Sequence, residues 1–116
     1  MITTINGVAI DAIACAVPSN CFSIFDYCDG LVTEKEANRL SKNTGFEKLR
    51  ITDNKTTTSD LCFNAAEHIF NSDGAYRKSD IDGLIFVSQT SDYYLPATSH
   101  ELQSRMGLSN NMLCFD

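Results

Sequence analysis

The chain has 116 residues, a formal net charge of -6 at pH 7 and a sequence pI near 4.7. Its hydrophobic content of 43% and charged content of 21% are typical of one globular domain with a modest core, and exclude a disordered chain. The negative charge disfavours nucleic acid as a partner, because it would repel a phosphate backbone. A membrane helix needs about 18 consecutive apolar residues, and no stretch of this sequence is that long and apolar, so we expect no membrane partner.

The N-terminal segment is predicted to be mature protein and not a signal peptide. Its apolar stretch, residues 7–17, lacks a preceding basic region and is interrupted by Asp11. The five cysteines are an odd number and form no Cys-x-x-Cys pair. We therefore expect no metal site, no cofactor, and reduced, mostly buried thiols in a cytoplasmic protein.

The first half of the chain predicts a strand region followed by a helix. Residues between Ile2 and Val17 are β-branched or small, which predicts an early strand pair or one bent strand. Thr33 and Glu36 form a capping-box pattern that predicts a helix through Leu40. Gly45 is then placed to end this helix in the left-handed conformation.

The clearest predicted helix follows a short extended piece at Leu49 and Ile51. Residues 56–60 offer several N-cap oxygens, and apolar side chains then recur at helical spacing. These apolar residues are Leu61, Cys62, Ala65, Ala66, Ile69 and Phe70. Asp73 and Gly74 predict the end of the helix.

The last third predicts a strand, a helix and a strand. The continuous apolar run 84–87 is typical of a strand covered on both faces. Pro96 is well placed as the first residue of a helix that reaches about Met106 and ends at Gly107. Residues 112–115 predict a second buried strand, so the unit is predicted to be βαβ with parallel strands in an α/β fold. A buried strand at this position needs cover from another segment or subunit, which predicts an incomplete sequence.

Most candidate catalytic residues are predicted to be structural. His68 and His100 lie in predicted helices, where a solvated or locally paired histidine is expected before a catalytic base. Asp80 and Asp82 precede a strand, so a turn cap is favoured over paired acid–base chemistry. Cys114 lies within an apolar strand, which favours a structural thiol over a nucleophile.

One loop is a better candidate for ligand binding. Residues 88–91 replace the Gly-rich loop that would bind a dinucleotide or nucleotide phosphate. Asp92-Tyr93-Tyr94 follows at the carboxyl end of a predicted parallel strand, which is where ligands bind in open α/β sheets. A packing or surface role for the tyrosines remains the alternative.

Several segments in order carry a pattern that extends over the whole chain. Residues 44–51 resemble the motif T-G-I-x-x-R-x-I, and residues 58–66 resemble T-T-S-D-L followed by A-A. Residues 80–87 resemble D-I-D-x-I-I-x-A/V, and residues 92–108 resemble D-Y-x-x-P-S-T followed by Q-x-x-L-G-L. Residues 114–116 are similar to A-F-D. Together these segments resemble the β-ketoacyl-acyl carrier protein synthase III enzymes.

The resemblance implies a thiolase-like fold, of which residues 1–116 would be an incomplete N-terminal half with a parallel βαβ unit. It implies an acyltransferase of fatty acid biosynthesis that condenses an acyl primer with malonyl-acyl carrier protein. The family nucleophile is a cysteine expected about five residues beyond Asp116, so no catalytic residue is carried over to this chain. The fragment is therefore expected to be inactive alone.

The same resemblance gives one substrate-binding residue and a set of partners. Leu95 precedes the proline of the motif, and in this family that position reaches the acyl pocket of the partner subunit. The implied partners are acyl carrier protein, acyl thioesters and, for the full-length enzyme, a second subunit. Counting without gaps places Arg39 and Glu47 where members using coenzyme A hold its adenine between a Trp and an Arg. Glu47 would repel phosphates, so primer delivery by coenzyme A or by a carrier protein stays open.

Two other interpretations remain open at this point. The chain could be a stand-alone, non-catalytic binding or assembly module derived from the same fold. It could also be an unrelated acidic α/β domain, in which case the parallel strand pair should be missing.

Overall fold

The computed structural model describes residues 3–72 and 74–116, which form two compact units. One unit is Val17–Thr57, and the other combines the described residues up to Ala16 with Thr58–Asp116. None of the described helices is long and apolar enough to cross a membrane.

The Val17–Thr57 unit consists of a small antiparallel sheet and two helices. Strand β1 (Cys21–Ser23) pairs with strand β2 (Lys48–Arg50), so that Phe22 lies opposite Leu49. Helices α1 (Ile24–Cys28) and α2 (Glu34–Thr44) follow β1. Their core contains Ile24, Cys28 and Ala37, with Leu49 packed against it.

Both predicted ends of α2 are confirmed. The Thr33 backbone N–H donates to the Glu36 carboxylate over 2.9 Å, and the Glu36 N–H donates to Thr33 Oγ1 over 3.4 Å. Gly45 has φ 75° and donates its N–H to the Ser41 carbonyl. Glycine reaches this left-handed conformation without the steric cost of a Cβ atom.

Strand β1 and helix α1 were not predicted from the sequence. Helix α1 begins after Ser23, whose Oγ accepts a hydrogen bond from the Phe25 N–H over 3.1 Å. Ser23 and Asp26 form a short Ser-x-x-Asp pattern, which is the signal that could have indicated this helix. Strand β1 has only three residues, too few to show an alternating pattern.

The second unit contains the predicted βαβ unit. Helix α3 (Thr58–Asn71) comes first, followed by a 3₁₀ turn (Lys78–Asp80), strand β3 (Gly83–Ile85), helix α4 (Thr98–Met106) and strand β4 (Leu113–Phe115). Strands β3 and β4 are parallel, with Leu84 opposite Cys114 and Ile85 opposite Phe115. The predicted helix, strand pair and parallel orientation are confirmed, which removes the interpretation as an unrelated domain without such a pair.

The core of this unit lies between the sheet and helices α3 and α4. Its buried residues are Phe86, Leu102, Met106 and Leu108, and the half-buried side chains around them are Phe63, Ala66, Phe70, Ile81, Leu84 and Met112. Gly107 has φ 65° and ends α4 as predicted.

The start of α4 differs from the prediction. The helix begins at Thr98 with Ala97 as N-cap, so Pro96 is not its first residue; the Leu95–Pro96 peptide bond is cis. The helix begins two residues later because the Asp116 carboxylate accepts the N–H groups of Thr98 and Ser99, which have no partner within the helix.

The described chain covers only one face of strands β3 and β4, so the predicted cover for the other face would have to come from another segment or subunit. Phe86 is buried against the helices, whereas Ile85 is 75% exposed and Val87 is 88% exposed. On β4, Leu113 and Phe115 are also exposed. Helices α3 and α4 cover only one face, because side chains alternate between the two faces of a strand.

Two further predictions do not hold. Residues 3–16 contain no strand, and the side chains of Ile5, Val8, Ile10 and Ile13 are exposed, while Ile2 lies outside the described residues. A strand needs a neighbour for its backbone hydrogen bonds, and no described segment pairs with these residues. All five cysteines are free, but only Cys28 is buried, so the expectation of mostly buried thiols is wrong.

Candidate functional site

The carboxyl ends of the parallel strands β3 and β4 meet the N-terminus of α4. Asp116 follows β4, and its two carboxylate oxygens accept the Thr98 N–H and the Ser99 N–H, each over 2.7 Å. A carboxylate is favoured here because the first N–H groups of a helix are unpaired and carry the positive end of the helix dipole. Asp116 therefore ties the end of β4 to the start of α4.

Hydrogen bonding at this position lowers the pKa of the Asp116 carboxyl. The Ser99 side chain lies close to the carboxylate, and the backbone donors of Ser99 and Thr98 make the hydrogen bonds of good geometry. The hydroxyl oxygens Thr98 Oγ1 and Ser99 Oγ are buried and make no hydrogen bond of their own to a described residue. The Ser99 side chain and the backbone N–H groups of Ser99 and Thr98 thus together favour the charged form of Asp116.

The loop between β3 and α4 projects its apolar tip into solvent. Tyr93 is 60% exposed, Tyr94 is fully exposed and Leu95 is 86% exposed. A cleft of about 540 Å³ lies beside this tip, and its walls include Ile85, Val87, Tyr93, Tyr94 and Asp116. Leu95 is not among the described residues that line the cleft, so its side chain is available to a surface outside this unit.

The base of this loop is anchored to the N-terminus of α3 by side-chain hydrogen bonds. The hydroxyl of Ser59, a fully buried residue, donates to the Asp92 carboxylate, and Thr58 Oγ1 lies 2.8 Å from Thr90 Oγ1. Thr90 in turn donates its N–H to Ser88 Oγ over 3.0 Å. The loop is therefore fixed below its exposed tip.

Arg105 of α4 completes this network. Its Nη1 donates to Ser59 Oγ over 3.1 Å, and its Nη2 donates to Asp60 Oδ1 over 2.6 Å. The guanidinium carbon lies 4.9 Å from the centre of the Phe63 ring, a distance typical of a cation–π contact. We name Ser59, Asp60, Asp92 and Arg105 the loop-anchoring cluster.

The sequence did not indicate this cluster as a unit. Residues 58–60 were predicted only as N-cap oxygens, and Asp92 only as part of the candidate loop. The signal that could have found it is the close spacing of Ser59 and Asp60, which places two polar side chains together at one helix start. Nothing in the sequence places Arg105 beside them, since that contact depends on how α4 packs against α3.

The remaining candidates lie apart from the loop or have structural contacts. His68 and His100 are exposed. Asp80 binds Arg77 over 2.9 Å at the surface, and this hydrogen bond lowers the pKa of the Asp80 carboxyl. Cys114 is half-buried in β4, opposite Leu84. These contacts fit the structural roles predicted for Asp80 and Cys114.

Cys62 lies in α3, three residues after Ser59 of the loop-anchoring cluster. Partial burial raises the pKa of its thiol, and the negative charge of Asp92 raises it further. A nucleophilic cysteine needs the opposite shift, because the thiolate is the reactive form. Among the described residues, no group of three or more His, Cys, Asp or Glu side chains could hold a metal ion.

Proteins named as 3-oxoacyl- or β-ketoacyl-acyl carrier protein synthases match this chain in sequence. A protein from Campylobacter jejuni named as a 3-oxoacyl-[acyl-carrier-protein] synthase 3 is 30% identical over 100% of this chain, which spans 33% of that protein. The β-ketoacyl-[acyl-carrier-protein] synthase III of Latilactobacillus sakei is 31% identical over 89% of this chain. No family model matches the chain.

A solved structure agrees with the sequence matches. The crystal structure of a 3-oxoacyl-(acyl-carrier protein) synthase from Burkholderia xenovorans has a TM-score of 0.81 and 34% sequence identity to this chain. The match covers 90% of this chain and 30% of that structure. The chain thus spans about a third of the length of the relatives that it matches. In sequence and in structure the chain is similar to one part of the β-ketoacyl-acyl carrier protein synthase III enzymes, and it has the thiolase-like α/β fold of that part.

Proposed function

We propose that this chain is the N-terminal portion of a 3-oxoacyl-acyl carrier protein synthase III-type acyltransferase. The observation that carries the proposal is the match over the whole chain to an enzyme named for this activity, together with the TM-score of 0.81. The parallel strand pair and the loop at its carboxyl end support it, because ligands bind at that edge of α/β sheets.

The proposed reaction is a decarboxylative Claisen condensation. A cysteine thiolate attacks the thioester carbonyl of an acyl primer, the carbon–sulfur bond to the donor breaks, and the donor leaves as its thiolate. Malonyl-acyl carrier protein then loses carbon dioxide, and the resulting carbanion attacks the acyl-enzyme carbonyl. A carbon–carbon bond forms, and the cysteine thiolate leaves.

The nucleophile of this reaction is proposed to lie outside the present chain. Cys28 is buried, Cys114 is half-buried within a strand, and the thiol of Cys62 has a raised pKa. None of these three has the combination of access and thiolate character that a nucleophile requires. Cys15 and Cys21 are exposed, but neither lies in the family's nucleophile motif, which follows the segment that residues 114–116 resemble, so the 116-residue chain alone is expected to be inactive.

Leu95 is proposed as a wall of the acyl pocket. Its side chain is 86% exposed at the tip of an anchored loop, which suits insertion into a pocket formed elsewhere in the enzyme. A leucine provides the apolar surface that an acyl chain needs. The proposed partners are acyl carrier protein, acyl thioesters and, for the full-length enzyme, a second subunit, in the cytoplasm.

Two measurements test the proposal. Reading the gene past the codon for Asp116 should give an open frame containing an Ala-Cys-x-Gly motif, whereas a stop codon would favour a non-catalytic module. Incubating the 116-residue chain with a labelled acyl thioester should give no covalent adduct. An adduct that disappears in Cys114→Ser would show that the nucleophile has been placed wrongly.

A further inference from the structure

The hydrogen bonds of the loop-anchoring cluster hold the loop between β3 and α4 in place. Ser59 is fully buried, and its hydroxyl both accepts from Arg105 and donates to Asp92. One hydroxyl thus joins two helices to the loop. The same helix start contacts the loop a second time through Thr58 and Thr90.

The position of Asp92 makes this anchor relevant to the loop tip. Asp92 directly precedes Tyr93, Tyr94 and Leu95, whose side chains are all exposed. These exposed side chains gain little from packing within their own unit, so they contribute little to the position of the loop. The position of the tip therefore depends on the hydrogen bonds at its base and, on the other side, on the start of α4 that Asp116 holds.

We propose that Ser59 and Asp92 are positioning residues that set the location of Leu95 and thereby the acyl-chain selectivity of the enzyme. Arg105 orients the Ser59 hydroxyl toward Asp92, because its guanidinium supplies the donor that occupies the acceptor side of that oxygen. This inference rests on the proposed function for its effect on selectivity. Its structural part, the anchoring of the loop, does not depend on that function.

The experiment compares Ser59→Ala and Asp92→Ala with two matched controls. Asp92→Asn keeps the shape of the side chain and an oxygen that can accept from Ser59. Asp80→Asn removes a carboxylate from an exposed ion pair on the same unit, away from the loop. Chemical unfolding of each variant separates loop effects from general destabilisation.

The first readout is chymotrypsin cleavage after Tyr93 or Tyr94 in the 116-residue chain. Ser59→Ala and Asp92→Ala should be cut severalfold faster than the wild type under conditions where all variants remain folded, because a released loop enters a protease site more easily. Asp92→Asn and Asp80→Asn should be cut at the wild-type rate. Equal cleavage rates in all variants would overturn the anchoring role.

The second readout is the ratio of kcat/KM for short-chain and long-chain acyl thioesters, measured on the polypeptide that the gene encodes. A displaced Leu95 should change this ratio by about tenfold in Ser59→Ala and Asp92→Ala. A purely structural role would lower both rates equally and leave the ratio unchanged, which would overturn the selectivity role. If the wild type transfers no acyl group from any donor, the proposed function fails, and the cleavage experiment alone decides the anchoring role.

Discussion

Leu102 should contribute more to the stability of this chain than any equally sized residue on the outer face of the sheet. It lies in the middle of α4, is only 2% exposed and belongs to the core formed with Phe86, Met106 and Leu108. The perturbation is Leu102→Ala, and the matched control is Leu113→Ala on β4, where the leucine is 64% exposed.

The expected magnitude follows from the burial of each side chain. Leu102→Ala removes about three carbon atoms from a dry core, at about 0.8 kcal/mol for each. The cavity that remains adds to this loss, and measured values for buried leucines are about 3–5 kcal/mol. Leu113→Ala removes the same atoms from a surface that water already reaches. We expect it to lower the free energy of unfolding by less than about 1 kcal/mol.

Urea unfolding of the two variants and the wild type, followed by circular dichroism, measures the difference directly. The midpoint should fall much further for Leu102→Ala, while the slope with urea concentration should stay unchanged. If both substitutions lowered the free energy of unfolding equally, the core would not lie on the α3 and α4 side of the sheet, and the reasoning would be refuted. Loss of all cooperative unfolding in Leu102→Ala would also fit the prediction, provided that Leu113→Ala still unfolds cooperatively.

Three other predictions concern the helix ends and the thiols. Asp116→Asn should destabilise the chain at neutral pH, because the lowered pKa of the Asp116 carboxyl gives stability that is fully present above the unfolded pKa. The difference from the wild type should begin to shrink as the pH falls below about 4 and should disappear once the pH is below the lowered folded pKa; acid unfolding curves that stay parallel would contradict this. Thr33→Ala should lower the free energy of unfolding by about 1 kcal/mol, because it removes the N-cap of α2. Thr44→Ala, at the other end of the helix, should lower it by less, and urea unfolding measures both values. In iodoacetamide labelling followed by mass spectrometry, Cys28 should react slowest because it is buried. Cys62 and Cys21 are both exposed, and Cys62 should react more slowly because the pKa of its thiol is raised; labelling of Cys62 as fast as that of Cys21 would contradict this account.

The sequence predicted elements well where the signal is local. The capping box at Thr33 and Glu36 and the glycine at position 45 determine both ends of α2 through contacts within a few residues. The parallel pair of β3 and β4 was also predictable, since a strand, a helix and a strand within a short span leave few other arrangements. In these cases, nearby residues supply the partners that the element needs.

Predictions failed where the partner is distant in sequence. The first residue of α4 depends on Asp116, which lies 18 positions beyond Thr98. The contacts of Ser59 depend on Asp92 and Arg105, which lie 33 and 46 positions away. Residues 3–16 have a strand-like composition, but composition cannot supply the neighbouring strand. The candidate site was therefore predictable as a loop, but its anchoring was not.

The outer face of the β3 and β4 sheet links the predicted need for further cover to the proposed function. Ile85, Val87, Leu113 and Phe115 are apolar as a strand covered on both faces requires, yet they are exposed in this chain. The chain spans about a third of the relatives that it matches, so the cover for this face is proposed to come from the longer polypeptide. In the polypeptide that the gene encodes, Leu113→Ala should then cost nearly as much as Leu102→Ala, because both leucines would be buried. A cost that stays below about 1 kcal/mol there would mean that this face remains in water, and the proposed enzyme context would lose its physical support.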